Sequence, residues 1–143
     1  YKDLYFSKKK AVEESDFVYL KGNNLVSRWK KLNNNRVFNI GELGFGAGIN
    51  FLTTLKMWSG RSNTDNWLNY FSIENQPICI RDLRRIHKKY PELHSFSLLL
   101  IKKYPINCKG LQRIEFPKQK VSLTVYCIVN DFIITIDKVV EPI

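Results

Sequence analysis

Four of the seven glycines in this 143-residue chain fall between positions 41 and 48, within Phe38-Asn39-Ile40-Gly41-Glu42-Leu43-Gly44-Phe45-Gly46-Ala47-Gly48-Ile49-Asn50-Phe51-Leu52. Glycine has no side chain beyond hydrogen, so such a cluster lets the backbone approach a ligand closely. The apolar run before it (Val37, Phe38, Ile40) suits a buried strand, and the residues after it (Phe51, Leu52, Leu55, Trp58) have helical spacing. The pattern predicts a strand over Val37 to Glu42, a glycine turn, and a helix from Ile49 to Trp58. A helix entered in this way presents unpaired N–H donors at its first turn, which is how a nucleotide-like ligand is cradled.

The spacing narrows the ligand. The dinucleotide fingerprint Gly-x-Gly-x-x-Gly fails in both registers, because its third glycine would fall on Ile49 or Phe51. A phosphate-binding P-loop fails too, since Gly48-Ile49-Asn50 supplies neither the lysine nor the hydroxyl. Glu42 turns the window into Glu-x-Gly-x-Gly-x-Gly, the usual form of an S-adenosylmethionine site, in which the carboxylate faces the cofactor's cationic amino group. The bland alternative is a glycine turn that merely joins strand to helix.

Downstream, Trp67 to Glu74 reads as a second strand ending in an acid, and Pro77 as the opening of a helix. Ile80, Leu83, Ile86 and Tyr90 step round one face of that helix, with Arg81, Arg84, Arg85 and Lys88 on the other, which reads as a solvated basic face. Leu93 to Tyr104 reads as a further helix, and Arg113 to Phe116 and Val121 to Val129 as strands. Upstream, Tyr5-Phe6 and Phe17 to Leu20 suit short strands, and Asn23 to Arg28 a short helix with Leu25, Val26 and Trp29 inward. Phe132 to Ile136 suits either a strand or part of a helix. The strand–helix–strand–helix order implies a parallel sheet with right-handed crossovers, and ligands in such sheets lie beyond the carboxyl ends of the strands. Glu74 then stands beside the glycine turn, able to accept hydrogen bonds from both hydroxyls of a ribose, or else caps the next helix.

Length implies one domain, divided here into an N-terminal extension (1–35), a core (36–131) and a divergent tail (132–143). No apolar run approaches the ~20 residues of a membrane span. The first residue is Tyr1 rather than methionine, which reads as a trimmed, processed or incomplete end. Three widely spaced cysteines, Cys79, Cys108 and Cys127, without a Cys-x-x-Cys pair, argue against zinc and against a disulfide framework and suit a reducing cytoplasm. His87 and His94 are read as surface histidines, and no metal site is expected. A net charge of +10 invites a nucleic-acid partner, although the excess is lysine-dominated in the manner of an AT-rich coding sequence.

With these elements placed, the sequence resembles the methyltransferase domain of MnmC-like enzymes, which complete 5-methylaminomethyl-2-thiouridine at the wobble position of certain transfer RNAs. The likeness is carried by Asp3-Leu4-Tyr5-Phe6-Ser7, Glu13-Glu14-Ser15, Val18 to Asn23, Gly41 to Leu52 (with Ala47 where threonine is usual), Phe71-Ser72-Ile73-Glu74 and Tyr90-Pro91-Glu92-Leu93. The resemblance implies a partial Rossmann-like α/β methyltransferase fold with S-adenosylmethionine at the glycine loop, transfer RNA as substrate and a cytoplasmic location. It implies cofactor-binding roles for Tyr5, Glu42, Gly44, Gly46, Gly48, Asn50 and Glu74, and assigns no catalytic residue. Such a transfer is an in-line displacement at a sulfonium carbon, so alignment of a neutral amine is the site's main work.

Two departures stand out. The family's third core strand ends in a Gly-Asp pair whose acid contacts the adenine amine, whereas Ile128 or Val129 occupies that place here, unless a shifted strand brings in Asp131. The family's fourth-strand Asp-Gly-Phe-Ala-Pro, and the elements after it, have no counterpart. The expectation is therefore a truncated or decaying copy, or one part of a longer protein, with a sheet edge that a homo-oligomer would shield. Function is expected to be methylation of the wobble aminomethyl group. The alternative is a non-catalytic remnant that keeps at most RNA or cofactor binding.

Overall fold

The structure is a computed structural model that describes residues 19–61 and 65–128. Tyr5, the Asp3–Ser7 and Glu13–Ser15 stretches, Phe17, Val18, Asp131 and the Phe132–Ile136 run lie outside the described residues.

Helix α1 (Leu25–Lys30) precedes strand β1 (Val37–Leu43), the glycine loop and helix α2 (Ile49–Ser59). Strand β2 (Trp67–Glu74) follows, then helix α3 (Ile80–His87), a 3-10 turn (Pro91–Leu93) and helix α4 (His94–Lys103). Strands β3 (Gly110–Phe116) and β4 (Val121–Cys127) complete the set. The strands form one mixed sheet in the order β1-β2-β4-β3. β1, β2 and β4 run parallel, and β3 runs antiparallel to β4.

The wholly parallel sheet expected from element order is thus corrected at β3. Pro117 to Lys120 separate β3 from β4 with a tight turn, in which Gln119 N–H bonds Phe116 O at 3.1 Å. A link that short closes only an antiparallel hairpin, because a parallel pair needs a crossover of a dozen residues or more. Three smaller expectations also shift. Tyr19 and Leu20 lie in a helical turn rather than a strand, and α3 opens at Ile80 with extended Cys79 before it, leaving Pro77 outside the helix. The helix expected from Leu93 begins at His94, after a separate 3-10 turn.

Strand register places side chains in rows. Phe38, Leu68, Val121 and Phe116 form one row on the inner face, and Ile40, Tyr70, Leu123 and Ile114 the next. All eight are buried, packed with Phe51, Leu52 and Leu55 of α2, which are wholly excluded from water. Full burial of one such side chain contributes ~2 kcal/mol. α1 closes this layer at the far end of α2, where Trp29 meets Trp58 edge-on at 5.2 Å. On the other face, Val37, Leu43, Phe71 and Leu111 are exposed. Among the described residues, no strand pairs with the outer edge of β1.

The expectation of unpaired cysteines is overturned: Cys108 and Cys127 form a disulfide with Cα atoms 5.8 Å apart. The hairpin is the reason. Gly110 pairs with Cys127 in register, so Cys108, just before β3, returns to the end of β4 despite a sequence separation of 19. Cysteine usage therefore no longer argues for a reducing compartment. Cys79 is free and exposed.

Candidate functional site

The glycine loop sits where the parallel strands β1 and β2 end. Gly44, Gly46 and Gly48 all take positive φ (84°, 54° and 73°), so each turn of the loop uses backbone space that L side chains rarely enter. Their surroundings differ. A Cβ on Gly44 or Gly46 would meet nothing within 4 Å, whereas one on Gly48 would fall 2.7 Å from the Phe45 ring. The loop is thus supported from below, where Phe45 is buried and stacks on Tyr104 with ring centroids 6.1 Å apart, and open above.

Two carboxylates flank it. Glu74, at the end of β2, accepts the Gly46 N–H on Oε2 at 2.6 Å and the Gln76 N–H on Oε1 at 2.7 Å. This ties the loop to the neighbouring strand, and the Gly44 N–H adds a bond to Ile73 O at 2.8 Å. Each carboxylate oxygen has two acceptor directions, so Glu74 keeps one on each oxygen for a further donor. Glu42 accepts the Asn50 side-chain amide on Oε1 at 2.8 Å and the Ser72 hydroxyl on Oε2 at 3.1 Å. Its place in the β1–β2 register makes the second bond, since Glu42 pairs with Ser72.

The electrostatics follow from burial. Desolvation raises the Glu42 carboxyl above its ordinary range, opposed by hydrogen bonds from Asn50, Tyr70 and Ser72 and reinforced by the Glu74 charge. Tyr19 is pushed up to about 12, chiefly by burial, and Tyr70 is raised for the same reason with the Glu42 charge second. Both hydroxyls are buried without a hydrogen bond of regular geometry. Buried phenols and carboxylate beside an open backbone cradle make a site that favours a cation with N–H donors near Glu42.

The structure therefore brings together Glu42, Gly44, Gly46, Gly48, Asn50 and Glu74, and Tyr5 falls outside the described residues. At the end of β4, the Ile128 N–H bonds Glu74 O at 2.9 Å, so an apolar residue adjoins the site from that strand.

His87 corrects the reading of two surface histidines. It is buried, with Nε2 2.7 Å from Ala47 O in the glycine loop and Nδ1 2.8 Å from Ser97 Oγ in α4. Ala47 O only accepts, so Nε2 carries the proton there and the neutral ring accepts from Ser97 at Nδ1. Burial lowers the His87 pKa, and the bond to Ala47 opposes that shift. The signal was present in sequence: His87 lies four positions after Leu83, on the face of α3 that turns inward. Ser72 was legible in the same way, two positions before Glu74 on the inner side of β2. His94, by contrast, is exposed. Among the described residues, no three His, Cys, Asp or Glu side chains assemble to hold a metal ion, and no helix is long and apolar enough to cross a membrane.

Against known proteins, the chain is 39% identical over 126 residues to the tRNA 5-methylaminomethyl-2-thiouridine biosynthesis bifunctional protein MnmC of Hahella chejuensis, a match covering 88% of this chain and 20% of the relative. The chain is MnmC-like. The MnmC proteins of Legionella pneumophila strain Corby (36% over 124 residues, 85% of this chain, 19% of the relative) and Marinomonas sp. strain MWYL1 (37% over 124 residues, 87% and 18%) match similarly. The chain thus spans about a fifth of the length of these MnmC relatives. No family model matches it.

Proposed function

We propose that this chain binds S-adenosylmethionine over the Gly44–Gly48 loop and belongs to the machinery that methylates the aminomethyl nitrogen of wobble 2-thiouridine in transfer RNA, in the cytoplasm. One observation carries the cofactor half: Glu42 and Glu74, from the ends of adjacent parallel strands, flank a loop that is open above Gly44 and Gly46 and feeds the N-terminus of α2. The names of the MnmC relatives support the transfer RNA half.

When bound, the cofactor supplies an electrophilic methyl group. Glu42, held by Asn50 and Ser72, would face its ammonium group, and Glu74 would accept from the ribose hydroxyls while still holding Gly46. These groups orient, and none of them is assigned the amine proton. The apolar Ile128 at the end of β4 favours a second reading, binding without chemistry, because the resemblance places there the acid that contacts the adenine amine.

Transfer of labelled methyl from S-adenosylmethionine to unmodified transfer RNA separates the two. The proposal predicts incorporation that is lost in Gly46→Asp, whose side chain would occupy the open space above the loop, add a second negative charge next to the peptide N–H that Glu74 holds, and strain a φ of 54°. Cofactor binding without incorporation would favour the second reading.

A further inference from the structure

Helix α3, whose buried His87 touches the glycine loop, concentrates positive charge on its exposed face and the turn after it. Arg81, Arg84, Arg85, Lys88 and Lys89 all lie exposed in nine consecutive positions, against the single acid Asp82. Asp82 reaches Arg85 at 3.2 Å and Arg81 at 4.0 Å, yet those two side chains remain 76% and 90% exposed. Three observations separate this face from a merely solvated one.

The first is residue type. The basic excess of the chain is mostly lysine, but three of its seven arginines fall between positions 81 and 85. A lysine-rich coding bias does not place arginines there, and guanidinium is the cation whose planar fork matches phosphate oxygens. The second is internal repulsion. Arg81 and Arg85 within α3, and Arg84 and the C-cap Lys88, are like charges at i,i+4, each pair unfavourable by a few tenths of a kcal/mol in an isolated helix. A counter-anion offsets that repulsion. The third is position: α3 leaves the site end of β2, and its His87 bonds Ala47 O at 2.7 Å, so the basic face rides on the helix that touches the glycine loop.

We propose that Arg81, Arg84, Arg85, Lys88 and Lys89 form a docking surface for the phosphodiester backbone of RNA, delivering a nucleotide toward the glycine loop. This rests on the transfer RNA half of the proposed function. Contacts of this kind neutralise phosphates, release counterions and carry no sequence information of their own.

The test compares the whole chain with Arg81→Gln/Arg84→Gln/Arg85→Gln and with Lys30→Gln/Lys31→Gln/Lys118→Gln, which removes equal charge from exposed positions elsewhere. Binding of unmodified transfer RNA is followed by anisotropy across a salt series, S-adenosylhomocysteine binding by calorimetry, and fold by thermal melting. Glutamine retains helix propensity and removes like-charge pairs, so the arginine variant is expected to melt with the parent. The surface predicts a transfer RNA affinity roughly tenfold or more lower in the arginine variant, with the log–log salt slope reduced by about 2–3 and the calorimetric titration unchanged. The lysine variant should retain most of the parent affinity. Equal losses in both variants, no loss in the arginine variant, or binding of the parent to phosphatidylserine vesicles in place of RNA would overturn the docking surface. A parent that binds S-adenosylhomocysteine but no transfer RNA would overturn it together with the RNA half of the proposed function, leaving the cofactor half standing.

Discussion

Glu42 sits in surroundings that oppose its own charge in the absence of ligand. Its pKa is raised in the folded chain, so the native state binds its proton more readily than the unfolded state does. Its contribution to stability is therefore greatest at acid pH and declines as the pH rises through the folded value. Replacing it with glutamine removes the buried charge and retains an acceptor for Asn50, and Ser72 can turn to accept from the new amide. Glu42→Gln should accordingly melt a few degrees higher than the parent at neutral pH and bind S-adenosylmethionine at least about tenfold more weakly, a loss of one charge-assisted hydrogen bond. His87 has the opposite sign. Its pKa is lowered, so it contributes fully above the ordinary histidine range, and that contribution is lost as the pH falls through that range to the depressed folded value. His87→Ala, which leaves Ala47 O unpartnered, should cost about 1–3 kcal/mol in denaturant unfolding at neutral pH. His87→Gln can keep a donor toward Ala47, so it should recover much of that loss and flatten the acid-side decline.

The elements show which parts of the site were legible in sequence. Strand β1, the glycine loop, α2 and β2 lie where the sequence pattern placed them, because each carries its own local signal: an apolar run, clustered glycines, helical spacing and a terminal acid. The β3–β4 hairpin was legible only as two strands. Its antiparallel sense follows from the shortness of the Pro117–Lys120 turn, and the Cys108–Cys127 bond follows from the pairing register, a tertiary fact that cysteine spacing does not contain. His87 was misread for a related reason: its partners Ala47 and Ser97 are 40 and 10 positions away. The disulfide closes a loop of 19 positions, for which chain entropy gives about 3 kcal/mol. Alkylation without reductant should therefore modify Cys79 alone, and reduction followed by alkylation should modify all three cysteines and lower the melting temperature.

Across the whole molecule, the loop, both carboxylates and the basic helix gather at one end of the sheet, while the aromatic packing of Trp29, Trp58 and Phe38 lies toward the other end of α2. That second region includes a cleft of about 420 Å³ lined by Val26, Trp29, Lys30, Leu32, Met57 and Arg61, and it provides an internal control for where a ligand settles. The most direct measurement is a titration of the isotopically labelled chain with S-adenosylmethionine, following backbone amide shifts by NMR. The account predicts saturable shifts concentrated on Gly44 to Asn50 and on Ser72 to Gln76, the residues that carry the open loop and its two carboxylate anchors. An absence of shifts, or shifts confined to the cleft around Trp29 and Arg61, would contradict it.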